Sequence, residues 1–200
     1  MHRNRNICES NYGETWGVLY VAPNIAYIHG AITDETVRGM FVVLQDIVQS
    51  LHDRKNKKSP IKIIINSPGG DAAAMFAIID IVNSMKAIGY SIHTYAIGEV
   101  LSAATGIFVA GDKRYATPTS RFMMHPVNTA VNYHPIKDAV ALAREGVVAQ
   151  EALLKHYADT CRNKIDVKKI QQLNAHITFM SAEEMRRHGW VDAIVASVFK

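Results

Sequence analysis

Cysteine is almost missing from this chain, and its two copies, Cys8 and Cys161, stand far apart. Neither belongs to a CxxC pair or to a Cys/His ligand spacing, so the pattern offers no disulfide framework and no zinc site. A reducing, cytoplasmic setting is the simplest expectation. Long apolar runs are missing too, since nothing approaches the roughly 18 uninterrupted apolar residues of a membrane span, and no membrane partner is expected. The opening "MHRNRNICES" lacks the apolar segment of a secretion signal, so the mature chain is expected to begin near its first residue. An excess of one charge is also lacking. With 20% charged residues and a formal net charge of +4, the lysines and arginines are scattered except in "HDRKNKKS", His52 to Ser59. No aromatic residue interleaves with that run to stack on bases, so it reads as a solvated loop, with no nucleic-acid partner. His29, His93, His134, His156 and His188 form no HExxH or related pattern; they read as surface or half-buried polar residues, and no metal site is expected.

Apolar residues, by contrast, are plentiful. At 48% of 200 residues they suffice for one substantial core, and residues 1–200 read as a single domain without repeat, linker or low-complexity segment. The apolar period switches repeatedly along the chain. "VLYVA" and "IAYIHG" read as short strands, and "TDETVRGMFVVLQDIVQSL" as an amphipathic helix with Thr33 or Asp34 as its N-cap. "IKIIINSPGG" reads as a buried strand ending in a breaker cluster. Met75, Ile78, Ile79, Val82 and Met85 then recur at three- and four-residue steps, the face of a helix that Gly89 stops. "YSIHTYAIG" is the next strand, "SAATGIFVAG" a short helix of small residues, "KRYATPTS" a turn and "RFMMHPV" a further strand. Helices are expected from Pro135 to Cys161 and from Asp166 to Ala175, with a last turn opening at "SAEEMRRHG". Strands alternating with helices of this length imply an α/β fold with βαβ crossovers and a mainly parallel sheet.

One hydroxyl stands at the seam between a strand and a helix. Ser102, in "YAIGEVLSAATGIFVAG", follows a strand and opens a helix, which exposes its Oγ beside unpaired N–H groups and the positive end of the helix dipole. An oxyanion would be stabilised there. Gly69 and Gly70 in "INSPGG" form a second strand-to-helix breaker, where glycine lets the backbone approach a substrate and aim an N–H at it. Two such turns can converge at one edge of a parallel sheet. His125, ending the strand "RFMMH" before Pro126, is placed to reach a serine on a neighbouring turn. Each residue has a plainer reading: a serine among small residues is usually a packing residue or an N-cap. The carboxylates add little, because Glu183 and Glu184 read as first-turn helix acids, Asp71 as a cap and Asp80 as a helix-surface residue.

The order of these pieces resembles a known family. "INSPGG" before a helix, "IGEVLSAATGIFVAG" after a strand, "PTSRFMMHPV" and "FMSAEEMRRHGWVD" follow one another as in the proteolytic subunit of the Clp protease, ClpP, a serine peptidase with the crotonase-like fold. The resemblance runs from Ala26 to Val195. It implies a mainly parallel sheet with a helical handle extension at residues 126–165. It also implies Ser102 as nucleophile, matched through Gly98, Ser102 and Ala104, and His125 as general base, matched through Met124 and His125. The backbone N–H groups of Gly70 and Ala103 would form the oxyanion hole. The implied substrate is a peptide or unfolded protein lying extended beside the sheet, with no metal or organic cofactor. The implied assembly is a homo-oligomeric ring, ATP-independent or fed by an ATP-dependent unfoldase, with a paralogue as another partner.

The resemblance has gaps. The family's third catalytic residue is an aspartate, and the matched position holds Ile177. Ala175 and His176 replace the charged residues that link two rings in the family, and "PVNTAVNYHPIKD" replaces a glycine-rich handle loop. A divergent member, such as a phage-encoded one, fits better than a housekeeping subunit. Isoleucine cannot accept a hydrogen bond from Nδ1–H. The side-chain oxygen of Asn174 is the nearest substitute orienter for His125; a backbone carbonyl, a water, and a mere helix-capping role for Asn174 stay open. A catalytically silent structural subunit is the second reading, and a crotonase that processes acyl-CoA a more distant third.

Overall fold

Ile61, Ile63, Ile64 and Ile65 crowd into one strand and are all buried, which requires cover on both of its faces. The computed structural model describes residues 17–53, 59–128 and 135–199 and places that strand inside a single sheet. Cys8, the middle of the basic run and part of "PVNTAVNYHPIKD", including His134, lie outside the described residues.

The elements follow the expected alternation: β1 (Val18–Ala22), β2 (Ile25–Ile32), α1 (Asp34–Asp53), β3 (Ile61–Gly70), α2 (Ala72–Ala87), β4 (Ile92–Leu101) and α3 (Ala103–Val109). They continue with β5 (Lys113–Ala116), β6 (Arg121–Met124), α4 (Ile136–Thr160), α5 (Val167–Asn174), β7 (Thr178–Ser181), α6 (Ala182–Arg187) and β8 (Ala193–Ile194). The sheet runs β1-β2-β3-β4-β5-β8, with every neighbouring pair from β2 to β8 parallel and β1 antiparallel at the edge. Helices α1, α2 and α3 pack in turn on one another and on the sheet, around the main core. Met40, Val43, Leu44, Ile47 and Leu51 of α1 point into that core at three- and four-residue steps. Ile25, Ile64, Tyr95 and Val198 form a smaller apolar cluster of their own.

Two local expectations hold in detail. Thr33 precedes α1 and accepts at its carbonyl from Val37 N–H at 3.1 Å, and Asp71 caps α2 by accepting from Ala74 N–H at 2.7 Å. A third does not. Of "KRYATPTS", Lys113–Ala116 forms β5, paired with β4, and the turn is confined to Thr117–Ser120. Arg114 hides the strand: a charged residue at a core position reads as surface, yet this one is only 1% exposed. Its guanidinium is spent on Asp192 at 3.2 Å, the Gly189 carbonyl at 3.0 Å and the Thr160 carbonyl at 2.5 Å. Burial raises the pKa of Asp192, but hydrogen bonds from Arg114 and Arg162 outweigh it and hold the carboxyl below its ordinary range.

Strand β4 forks, and the fork positions the site. Its first half, His93–Ala96, pairs with β5, whereas Glu99–Leu101 pairs with β6. Gly98 lies at the change with φ +59. A Cβ there would come within 2.7 Å of Asn66 Oδ1, which instead accepts from Glu99 N–H at 3.1 Å. Strand β7 closes the other side of β6 antiparallel, and α6 begins at once with a capping box between Ser181 and Glu184. Helix α4 packs on α3 and α5.

Candidate active site

Leu101 and Met123 are paired residues on the parallel strands β4 and β6, so the residues just beyond both strand ends emerge side by side. Ser102 N–H donates to the Met123 carbonyl at 2.8 Å, and Thr105 Oγ1 ties the Val100 and Met123 carbonyls at 2.7 and 3.0 Å. These bonds hold the two strand ends together. Beyond them, Ser102 Oγ lies 2.6 Å from His125 Nε2.

Ser102 itself occupies a backbone conformation that side chains rarely adopt, φ +55 and ψ −122. At this sharp reversal Oγ makes no capping bond to the helix it precedes and is left to face His125. Ala103 opens α3, so its N–H lies in the first turn, where helical donors have no intrahelical acceptor. The glycine turn converges on this point. Gly69, at φ +92, lies so close that a Cβ would sit 2.7 Å from Ser102 Cβ and 3.0 Å from Ala103 N. Gly70 follows at the end of β3 opposite Ile32. Ser67 shapes the turn by donating Oγ to the Gly30 carbonyl at 2.6 Å and accepting from Gly69 N–H at 3.0 Å. Nothing in the sequence pattern singles out Ser67 or Thr105, because the Gly30 and Met123 carbonyls they bind come from distant segments.

His125 Nδ1 takes one of the partners that the sequence left open, a backbone carbonyl, and not the Asn174 side chain. The Pro126 carbonyl lies 2.6 Å from Nδ1. A carbonyl can only accept, so Nδ1 carries the proton and Nε2 is left to accept from the Ser102 hydroxyl. Asn174 does not touch the ring. Its Oδ1 accepts from Gln150 Nε2 at 2.6 Å and its Nδ2 donates to the backbone carbonyl of His125 at 2.8 Å. Asn174 is only 2% exposed and ends α5, which directs it at the backbone behind the histidine rather than at the imidazole. Its expected role as ring acceptor is therefore corrected, and the backbone carbonyl takes that place. Ile177 is 67% exposed and lines an open groove of about 620 Å³ with Met123, His125, Pro126, Asn128 and His176. Among the described residues no carboxylate is hydrogen-bonded to His125.

Three other histidines, His93, His156 and His188, are half-buried in the fold. His156 is half-buried and its Nε2 donates to the Gly106 carbonyl at 2.8 Å; burial pushes its pKa below the ordinary value, partly offset by that bond. Burial likewise lowers the pKa of His93 and of His188. Among the described residues no cluster of histidine, cysteine and carboxylate side chains is gathered to hold a metal.

Comparison with known proteins agrees with the sequence motifs. The Clp protease family model matches residues 25–198, a span that includes Gly70, Ser102, Ala103, His125 and Ile177. The ATP-dependent Clp protease proteolytic subunit 3 of Parasynechococcus marenigrum (strain WH8102) is 30% identical over 153 residues, 75% of this chain and 74% of that protein.

Proposed function

Since this chain belongs to the Clp protease family, a family of serine peptidases, we propose that it is a serine endopeptidase with Ser102 as nucleophile and His125 as general base. The observation that carries this reading is the 2.6 Å contact between Ser102 Oγ and His125 Nε2 at a positive-φ turn that opens a helix. In the first half-reaction Nε2 takes the hydroxyl proton as Oγ bonds to the peptide carbonyl carbon. The resulting oxyanion is held by the N–H groups of Ala103 and Gly70, each worth about 2.7 to 4 kcal/mol. Collapse breaks the C–N bond, and His125 returns the proton to the leaving amine. Water then attacks the acyl-enzyme, giving its proton to His125, and Ser102 is regenerated. The substrate is an extended peptide segment, with side chains accommodated in the groove between His125 and Ile177.

The Pro126 carbonyl orients the imidazole but carries only a partial charge with which to stabilise the imidazolium. Losing an orienting aspartate can lower turnover by about ten-thousand-fold in a serine protease, so hydrolysis is expected to be slow. That same observation favours the second reading, a silent subunit that builds a ring around an active paralogue. A serine-directed fluorophosphonate separates the two. One adduct located on Ser102 by peptide mass mapping is the expected result, and a folded but unlabelled protein would leave the structural subunit.

We propose further that the chain assembles as a ring, which an ATP-dependent unfoldase can supply with unfolded protein. Phe41 on α1 and Ile136, Val140, Val147 and Val148 on α4 are exposed apolar side chains that contacts between copies would cover. Native mass measurement at micromolar concentration is expected to find a closed multiple of the 22.2 kDa chain. A stable monomer would overturn the ring.

A further inference from the structure

A chain of three hydrogen bonds that the hydrolytic cycle leaves unused holds His125 from behind. Val127 N–H donates to Gln150 Oε1 at 2.7 Å, Gln150 Nε2 donates to Asn174 Oδ1 at 2.6 Å, and Asn174 Nδ2 donates to the His125 carbonyl at 2.8 Å. The direction of every bond follows from the two ends, because an amide N–H can only donate and a carbonyl can only accept. Both side-chain amides therefore have a single orientation in which all of these bonds form. Between the two ends lies Pro126, whose carbonyl receives His125 Nδ1–H at 2.6 Å.

We propose that Gln150 and Asn174 are positioning residues for the general base: by clamping the backbone on both sides of Pro126 they hold its carbonyl as the acceptor that sets the tautomer of His125. The inference rests on the peptidase reading of Ser102 and His125. Its physical basis is that, among the described residues, no other side chain from outside the segment hydrogen-bonds the backbone of residues 125–127. A carbonyl of the next residue cannot orient a ring unless the backbone between them is fixed, and proline has no N–H with which to anchor itself. The amide pair supplies the two missing anchors from separate elements, Gln150 from the middle of α4 and Asn174 from the end of α5. Asn174 is buried, where an unsatisfied amide is costly, so the chain of bonds is held as a unit. The contacts of α4 and α5 are thus coupled to the base, through backbone rather than through a charged third residue.

The experiment reads the tautomer directly. Long-range proton–nitrogen spectra of protein labelled with 15N-histidine, with His125 assigned by its loss in His125→Gln, report which ring nitrogen carries the proton at mildly alkaline pH. The parent is expected to show His125 as the Nδ1–H form, and Asn174→Ala and Gln150→Met to show a mixture of both tautomers. Because Asn174 is buried and its truncation threatens the fold, Gln150→Met, of similar length at a half-buried position, carries the same readout. A displacement of about 1 Å can cost about a hundredfold, so the smaller loosening expected here should lower kcat on the order of tenfold and leave KM within about twofold. Gln150→Glu keeps the acceptor for Val127 N–H but loses the donor to Asn174, and its kcat should fall between those of the parent and Gln150→Met. Persistence of the parent tautomer in both variants overturns the inference, whatever happens to kcat. If the parent neither hydrolyses peptides nor reacts with a fluorophosphonate, the peptidase reading fails, and the tautomer comparison still decides whether the clamp orients His125.

Discussion

Ser102→Ala is expected to remove peptide hydrolysis, by at least about a thousandfold against whatever rate the parent shows, because among the described residues no other hydroxyl is hydrogen-bonded to His125. The substitution deletes one oxygen and one hydrogen bond, so its effect on unfolding should not exceed about 1 kcal/mol. Ser102 already adopts φ +55 with a Cβ in place, and alanine brings no new steric demand. Cleavage of a short fluorogenic peptide and thermal unfolding, measured on the same preparation, check both halves of the claim. Unchanged turnover in a mutant verified by mass would rule out the acyl-enzyme mechanism with Ser102 at its centre.

Gly69→Ala carries the second large effect. The new methyl would sit 2.5 Å from the Leu101 carbonyl oxygen and 2.7 Å from Ser102 Cβ, atoms that a rotamer change cannot swing aside. Either the glycine turn or the serine turn must move, and a shift of about 1 Å between nucleophile and oxyanion donors is expected to lower kcat/KM about a hundredfold. Backbone strain is a separate contribution, since alanine at φ +92 costs on the order of 1 to 2 kcal/mol wherever it occurs. Gly89→Ala isolates it: Gly89 has φ +96, ends α2 away from the serine, and a Cβ there meets nothing within 4 Å. Both variants should lose the stability that strain costs, Gly69→Ala more because of its clash, while only Gly69→Ala loses activity. Equal kcat/KM in both would show that the close approach of Gly69 to Ser102 has no part in catalysis.

Much of this architecture is legible along the chain because periodicity reports which side of an element meets the core. The all-apolar run of β3, the three- and four-residue steps of α2 and the breaker at Gly69 and Gly70 each describe a single segment, and each stands where the pattern puts it. Ser102 is legible for the same reason, as a hydroxyl at a strand-to-helix seam whose neighbours are all small or apolar. Strand β5 escapes that logic because the bonds that let Arg114 lie inside come from Asp192, Thr160 and Gly189, far along the chain.

The sequence alone therefore determined the alternation of strands and helices, the family and the two residues that face each other, since short-range chemistry and ordered motifs carry that information. Tertiary structure decided what stands behind them. The fork of β4 brings Ser102 and His125 together through pairing with two different strands. The acceptor for Nδ1 is a backbone carbonyl that no side-chain pattern encodes, and Gln150 and Asn174 meet across 24 residues only because α4 and α5 pack together. Hydrogen bonds of this kind depend on where two backbones come to rest, and that is settled by the packing of the whole core rather than by any segment within it.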